Sequence, residues 1–339
     1  MAASRPTDRH PSRFRLLAAM LGCLLGLGIA WPAAAQQDVL TVRGQVGQTL
    51  GFFLQEGSRE GASGATADDI RWTPGQVALN RTHYQLQFER RFGWDAAGLI
   101  SLRGHWDAGV TGLQQLVSVA NGDSSSLVEF DQAYVDLYSD TTDFRVGRQR
   151  IAWGTADGFN PTSYFAPLNL DLSGGLEGLV QPVTALRAST YFNVGTLGVV
   201  VVPTFERRAD WLEKLKQATN LQLKNQPVEP SNQGEIGVQF DTFYRGTSLY
   251  LSYFTGFEDQ PAAWVDSSEL QAEWRRERKL GVAGATTWQG FTFWGEGTYA
   301  FPARLQLPDG IQPADIWAPT RPYVTAILGA DYRFPGGQR

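Results

Sequence analysis

The stretch Leu79–Arg91, LNRTHYQLQFERR, decides the fold. Thr82, Tyr84, Leu86 and Phe88 occupy one parity, while Arg81, His83, Gln85, Gln87 and Glu89 occupy the other. In an extended chain successive side chains point to opposite faces, so this stretch is a strand with one apolar and one polar face.

The same alternation recurs in about twelve segments, near residues 40–54, 77–92, 98–108, 127–138, 144–153, 183–193, 196–205, 235–245, 247–257, 277–288, 290–301 and 322–334. Short turns fall at 93–97, 139–143, 194–196, 245–247 and 288–290; long links occupy roughly 55–76, 109–126, 154–182, 206–234, 258–276 and 302–321. Short and long connections alternate strictly, which describes one up-and-down antiparallel sheet with unequal ends. A soluble β-sandwich also alternates in hydropathy, but its links follow no two-ended length rule. Segments of about 10 to 16 residues suit tilted strands crossing an outer membrane, with short periplasmic turns and longer outside loops. The fold class expected is all-β, a transmembrane antiparallel up-and-down β-barrel of about twelve strands. Its edges must pair, because lipid offers unmet backbone groups no partner.

The N-terminus agrees with that destination. Arg5, Arg9, Arg13 and Arg15 precede an apolar run from Leu16 to Ala30 and the small-residue ending Ala33-Ala34-Ala35. This pattern predicts a secretory signal peptide over 1–35, cleaved before Gln36, with 36–339 as the barrel, and so export to the outer membrane of a Gram-negative cell. A lipoprotein anchor at Cys23 fits poorly, since Met20-Leu21-Gly22 precedes it. Beyond residue 35 there is no cysteine, which excludes a disulfide scaffold, a thiolate nucleophile and a thiolate metal site. Removing four arginines and Asp8 from totals of 29 basic and 34 acidic residues leaves 25 and 33, a net charge of −8. Nucleic acid is therefore not an expected partner. No apolar run reaches about 18 residues, so no transmembrane helix is expected.

An Arg or Lys at the lipid midplane of a barrel costs about 2–4 kcal/mol, so the charged parity is expected to face the lumen. That assignment makes Arg43, Arg81, His83, Arg103, His105, Asp136, Arg148, Arg150, Arg187, Glu235, Asp241, Glu296 and Asp331 pore-lining, with Lys279 and Arg333 beside them. Glu129 and Asp131 break parity on their strand, so they sit above the bilayer or a bulge intervenes. The arginines gather on the first six strands and the acids on the later six. Opposed walls of opposite charge would put a field across an open pore; charges paired across the lumen would plug it instead.

The link after the fifth strand carries Trp153, Phe159, Tyr164 and Phe165 with Asp157, Asn160, Pro161 and Pro167. A solvated loop has little use for so many aromatics. Folding inward would bury them and make a constriction beside Arg148 and Arg150; the other option is an aromatic belt at the outer interface. In a later link, Trp211, Leu215 and Ala218 within Arg207–Lys224 fall at helical spacing. They predict a short amphipathic helix that caps the pore, touches lipopolysaccharide or docks a partner.

The run GRQRIAWGTADGFNPTSYF (Gly147–Phe165), with QAYVDLY (Gln132–Tyr138) before it and LGADYRF (Leu328–Phe334) near the end, resembles a motif pattern of bacterial outer-membrane porin-like barrels related to the alginate-export family. The resemblance implies passive passage of a solute along a conduit lined by the strand bearing Arg148 and Arg150. It does not assign alginate as the solute, and alginate exporters have more strands. Here Pro335-Gly336-Gly337 follows the last strand and reads as a further turn, suggesting a chain cut before its next hairpin; twelve strands is also an even number that can close alone.

The function expected is a channel for small polar or anionic solutes. The alternative is a non-conducting barrel that displays its loops for binding or adhesion. Enzyme chemistry is not expected: His83 and His105 are the only histidines beyond residue 35, no G-x-S-x-G occurs, and His105 with Asp107 is the one acid–base pairing that parity brings together. No catalytic residue, metal site or cofactor is assigned. The partners expected are outer-membrane lipid and lipopolysaccharide, a small polar solute and, as an open option, further copies of the chain.

Overall fold

The structure is a computed structural model that describes residues 40–52, 54, 56–59, 70–107, 128–156, 159–165, 180–205, 222–223, 233–258, 261–266, 269–305, 311–312, 316 and 318–332. The signal peptide expected over 1–35 and the turn expected at Pro335-Gly336-Gly337 lie outside these residues. In chain order the strands are β1 (Leu40–Phe52), β2 (Gly57–Arg59), β3 (Ile70–Trp72), β4 (Val77–Phe92), β5 (Ala96–Asp107), β6 (Glu129–Tyr138), β7 (Thr142–Gln149), β8 (Val183–Phe192), β9 (Gly195–Val202), β10 (Gln222–Leu223), β11 (Glu235–Tyr244), β12 (Thr247–Phe257), β13 (Ala262–Asp266), β14 (Glu269–Glu273), β15 (Arg276–Trp288), β16 (Phe291–Pro302) and β17 (Tyr323–Tyr332).

Twelve of these form one sheet in the order β1-β4-β5-β6-β7-β8-β9-β11-β12-β15-β16-β17, an antiparallel meander in which each long strand pairs with the next. Local chemistry sets the hairpins. Arg245-Gly246 and Gln289-Gly290 both have positive φ at both residues and join directly paired ends, Tyr244 to Thr247 and Trp288 to Phe291. A tight turn of this hand matches the strands' own twist.

The two faces separate as the alternation predicts. Leu249, Leu251 and Tyr253 on β12, Leu280 and Val282 on β15, and Val324 and Leu328 on β17 share one face, all exposed. The buried cluster Ile151, Trp153, Tyr164, Phe165, Val183, Ala185, Val200, Val202 and Phe254 lies on the other, which we call inner.

Beyond the long strands, the links on the opposite side from the short turns carry structure of their own. β10, β14 and β13 form a small sheet joining two links. Ala262, Trp264 and Ile316 pack with Leu305, Ile311 and Ala318, bringing in a third. The helix expected over Arg207–Lys224 lies largely outside the described residues. At its end Gln222 and Leu223 pair with Glu269 and buried Leu270 as strand, so the cross-link pairing overrides helical spacing there.

Candidate functional site

The segment after β7 lies on the inner face. Trp153 meets Phe165 edge to face at 5.3 Å and Tyr164 at 5.8 Å; Tyr164 stacks on Phe254 of β12 at 5.1 Å. The Tyr164 hydroxyl and Ser252 Oγ are 2.9 Å apart. Glycines leave the room: a Cβ at Gly237 would sit 2.6 Å from the Phe165 ring, and one at Gly281 2.1 Å from the Tyr164 hydroxyl oxygen.

Glu296 of β16 anchors the segment. Its carboxylate accepts the backbone N–H groups of Thr155 (3.2 Å), Ala156 (2.9 Å) and Thr162 (3.2 Å), and the Thr162 hydroxyl. Gly154, at φ +101°, passes so close that a Cβ would fall 2.5 Å from the same carboxylate. This contact, with the turn at Gly154, requires a bent sheet. β7 and β16 are six strand spacings apart, about 29 Å on a flat sheet at ~4.8 Å each. The six residue steps from Gln149 to Thr155 reach at most about 21 Å even fully extended; the Glu296 side chain and its hydrogen bond add about 8 Å, so only a straight segment would span a flat sheet, and this one turns at Gly154.

Across from this anchor, arginines and their acids make a second cluster. The β5–β6 register shifts so that Ser101 pairs with Gln132 and Leu102 with Phe130. Asp131 is the extra residue of a bulge, the option the parity break left open. It turns inward with no exposure, accepting from Arg150 at 2.5 Å and lying 3.6 Å from Arg103, with Gln85 and Ser101 also donating. The side chain of Glu129 lies outside the described set. Further along, Arg145 donates to both oxygens of Asp136 (2.6 and 2.9 Å) and lies 3.9 Å over the Tyr134 ring. Arg187 stands opposite Arg145 in the ladder.

Of the other residues named from sequence, Arg43 lies 3.7 Å from Glu89. Arg81 is buried. His83 faces His105 across the β4–β5 ladder, its ring over Gly47. Glu235 is buried and accepts the Phe257 N–H at 3.1 Å. Asp241 shares its inner parity, and Asp331 accepts the Trp294 indole N–H at 2.9 Å. Asn160 donates to the Trp153 carbonyl at 3.1 Å, and Phe159 is exposed. Asp157 and Arg333 lie outside the described residues.

Arg148 departs from expectation. It stands between Ala133 and Thr184, on the parity of Val146 and Leu186, which is the outer face. The inward positions of β7 belong to Asp143, Arg145, Gly147 and Gln149. Gln149 is fully buried and donates to the carbonyl of Ala185 at 2.9 Å, over the small residues Gly147 and Ala185. Arg150, just past the strand, does turn inward. Sequence reasoning missed Arg145, although exposed Phe144 and Val146 already fix the outward parity of β7. It also missed Glu277, whose carboxylate takes the Tyr323 hydroxyl at 2.7 Å and Lys279 at 2.8 Å.

No protein-family model matches the chain, and no curated protein matches it. Among solved structures it is similar to Salmonella typhi OmpF in complex with daunomycin, at 10% identity over 78% of this chain and 68% of that one, TM-score 0.40. It is similar also to OmpT, an outer membrane protein of Vibrio cholerae in its trimer form (10% identity, 88% and 86% covered, TM-score 0.36). A third is a triple mutant of Rhodopseudomonas blastica porin (12% identity, 88% and 91% covered, TM-score 0.33).

Proposed function

We propose that the chain is a porin-like channel of the outer membrane that lets small polar or anionic solutes pass between the inward segment and the arginine-bearing wall. The observation that carries this reading is the Glu296 anchor. It holds residues 153–156 and 159–165 against β11, β12, β15 and β16 and ties up an acid of that wall. The space left beside the segment is then bounded by β1 and β4–β8, where Arg43 lies near Glu89, Arg103 and Arg150 meet Asp131 and Arg145 meets Asp136, with Arg81 and Arg187 on the same face. Guanidinium groups stay charged at any working pH, and low-dielectric walls strengthen their field on a permeant anion. The exposed apolar outer face supports a place in lipid.

The packed outer links, with their own small sheet, favour the second reading, a scaffold that displays loops. Planar-bilayer recording separates the two. A channel gives unitary conductance steps, and in a salt gradient the zero-current potential shows anion preference. Replacing Arg103 and Arg150 by glutamine should move that potential toward cations. Absence of steps from a folded protein would leave the display reading standing and sink the channel.

A further inference from the structure

The outer face presents a selection of charges that the channel does not use. Among the described residues, the outward strand positions carry four charged side chains, Arg90, Arg148, Arg276 and Arg278, and no Asp or Glu. Arg90 lies by the short turns; the other three lie toward the long links. Two are neighbours on one face of β15. Arg276 lies 5.0 Å over the Phe257 ring and donates to the Gly234 carbonyl at 2.9 Å. Arg278 stands between Thr255 and Phe301, exposed and without an acidic partner among the described residues.

Their height on the strand is informative. Directly below Arg278 come exposed Leu280 and Val282, flanked by Tyr253 and Tyr299, and the apolar run ends at Trp288. From Arg278 to Trp288 is about 33 Å at ~3.3 Å per residue, which at a tilt of 35–45° spans about 25 Å, the height of a barrel's apolar band. The two arginines therefore sit at the upper rim of that band, where head groups begin. Among the described residues no outward carboxylate neutralises this pair, so two fixed positive charges are left facing the head-group level. A planar fork beside an aromatic ring matches a phosphate monoester better than a lone ammonium would.

We propose that Arg276 and Arg278 form a binding site for a phosphate group of the outer-leaflet glycolipid, with Tyr299 and Phe301 against its acyl chains. The proposal rests on the outer-membrane reading above. Native mass spectrometry of the refolded protein with bisphosphorylated lipid A tests it, with fully dephosphorylated lipid A and inorganic phosphate as parallel probes. Wild-type protein should keep a lipid A adduct, and Arg276→Gln with Arg278→Gln should weaken it about tenfold, the loss of one or two charge-assisted contacts. Arg90→Gln, at the other end, should leave it unchanged. Should the double variant fail to fold, judged by heat-modifiable gel mobility, Arg278→Gln alone carries the test. Equal retention by variant and wild type, retention of dephosphorylated lipid, or displacement by inorganic phosphate alone would overturn the site. A protein that conducts yet keeps no lipid A loses this site and retains the channel; one that enters no bilayer loses both.

Discussion

Glu258 shows how a single carboxyl ties the outer links to the sheet. It follows β12 directly and faces Arg275, which precedes β15; both are buried, and the guanidinium donates to both carboxylate oxygens, one at 3.1 Å. Burial pushes the Glu258 carboxyl up to about 7, Arg275 only partly offsetting that, while Glu277 adds to the rise and Lys279 opposes it. A carboxyl that binds its proton more tightly when buried than when exposed favours the buried arrangement at acid pH. That stabilisation is complete below the ordinary carboxyl range and is lost as pH climbs through about 7. The protection of β13–β14 amides, corrected for the intrinsic rise of exchange with pH, should therefore fall between pH 6 and pH 8, and Glu258→Gln should flatten that fall. Protection that holds or rises over that range in the wild type would overturn the assignment. Asp131 is the contrasting case: its bulge delivers a carboxylate among two arginines, Gln85 and Ser101, so its charge is matched at the site.

At the scale of elements, the inward segment depends on one side chain more than on its aromatics. Stacking of Trp153, Tyr164, Phe165 and Phe254 is compatible with several placements of a loop over an apolar wall. The Glu296 carboxylate, gathering three backbone N–H groups and a hydroxyl, fixes one. Glu296→Ala should leave those donors buried without a partner at about 1–3 kcal/mol each and release the segment. Single-channel conductance should then rise and its noise increase; an unchanged conductance in a folded barrel would separate the segment from the path. How much of this was legible follows from range. All twelve long strands were visible in sequence because a period of two is a local property, and the hairpin ends were visible in residues such as Gly246 and Gly290. The bulge showed itself only as a parity conflict at Asp131. Its resolution needed the partner strand. The outward turn of Arg148 did not, since Arg148 shares the parity of Phe144 and Val146, but its charge, with that of Arg150, masked that local signal. The Glu296 anchor joins residues more than 130 positions apart, and no local pattern encodes it. The strands β10, β13 and β14 are too short to carry a period, so their pairing was invisible beforehand.

For the whole molecule the open issue is the pair of free edges. Among the described residues no ladder joins β1 to β17, which stand at opposite ends of the sheet order. β1 is 13 residues long and β17 is 10, so each edge offers a row of backbone groups, and in a bilayer each unmet group costs several kcal/mol. Direction permits a remedy. β1 runs toward the long links and β17 away from them, so the two would pair antiparallel if the sheet curls fully, and the reach from Gln149 to Glu296, with the turn at Gly154, already requires curvature. We expect β1 and β17 to close the sheet within one chain. Beyond residue 35 the sequence has no cysteine, so introduced pairs report cleanly. Val46→Cys combined in turn with Val324→Cys, Ala326→Cys and Leu328→Cys samples three registers on the outer face. A disulfide needs Cα atoms about 4.4–6.8 Å apart, so a single register should cross-link strongly on mild oxidation and raise the temperature at which gel mobility changes. If none of the three cross-links within the chain while Val46→Cys alone forms dimers, the edges meet another copy, and a twelve-strand pore closed by one chain would have to be abandoned.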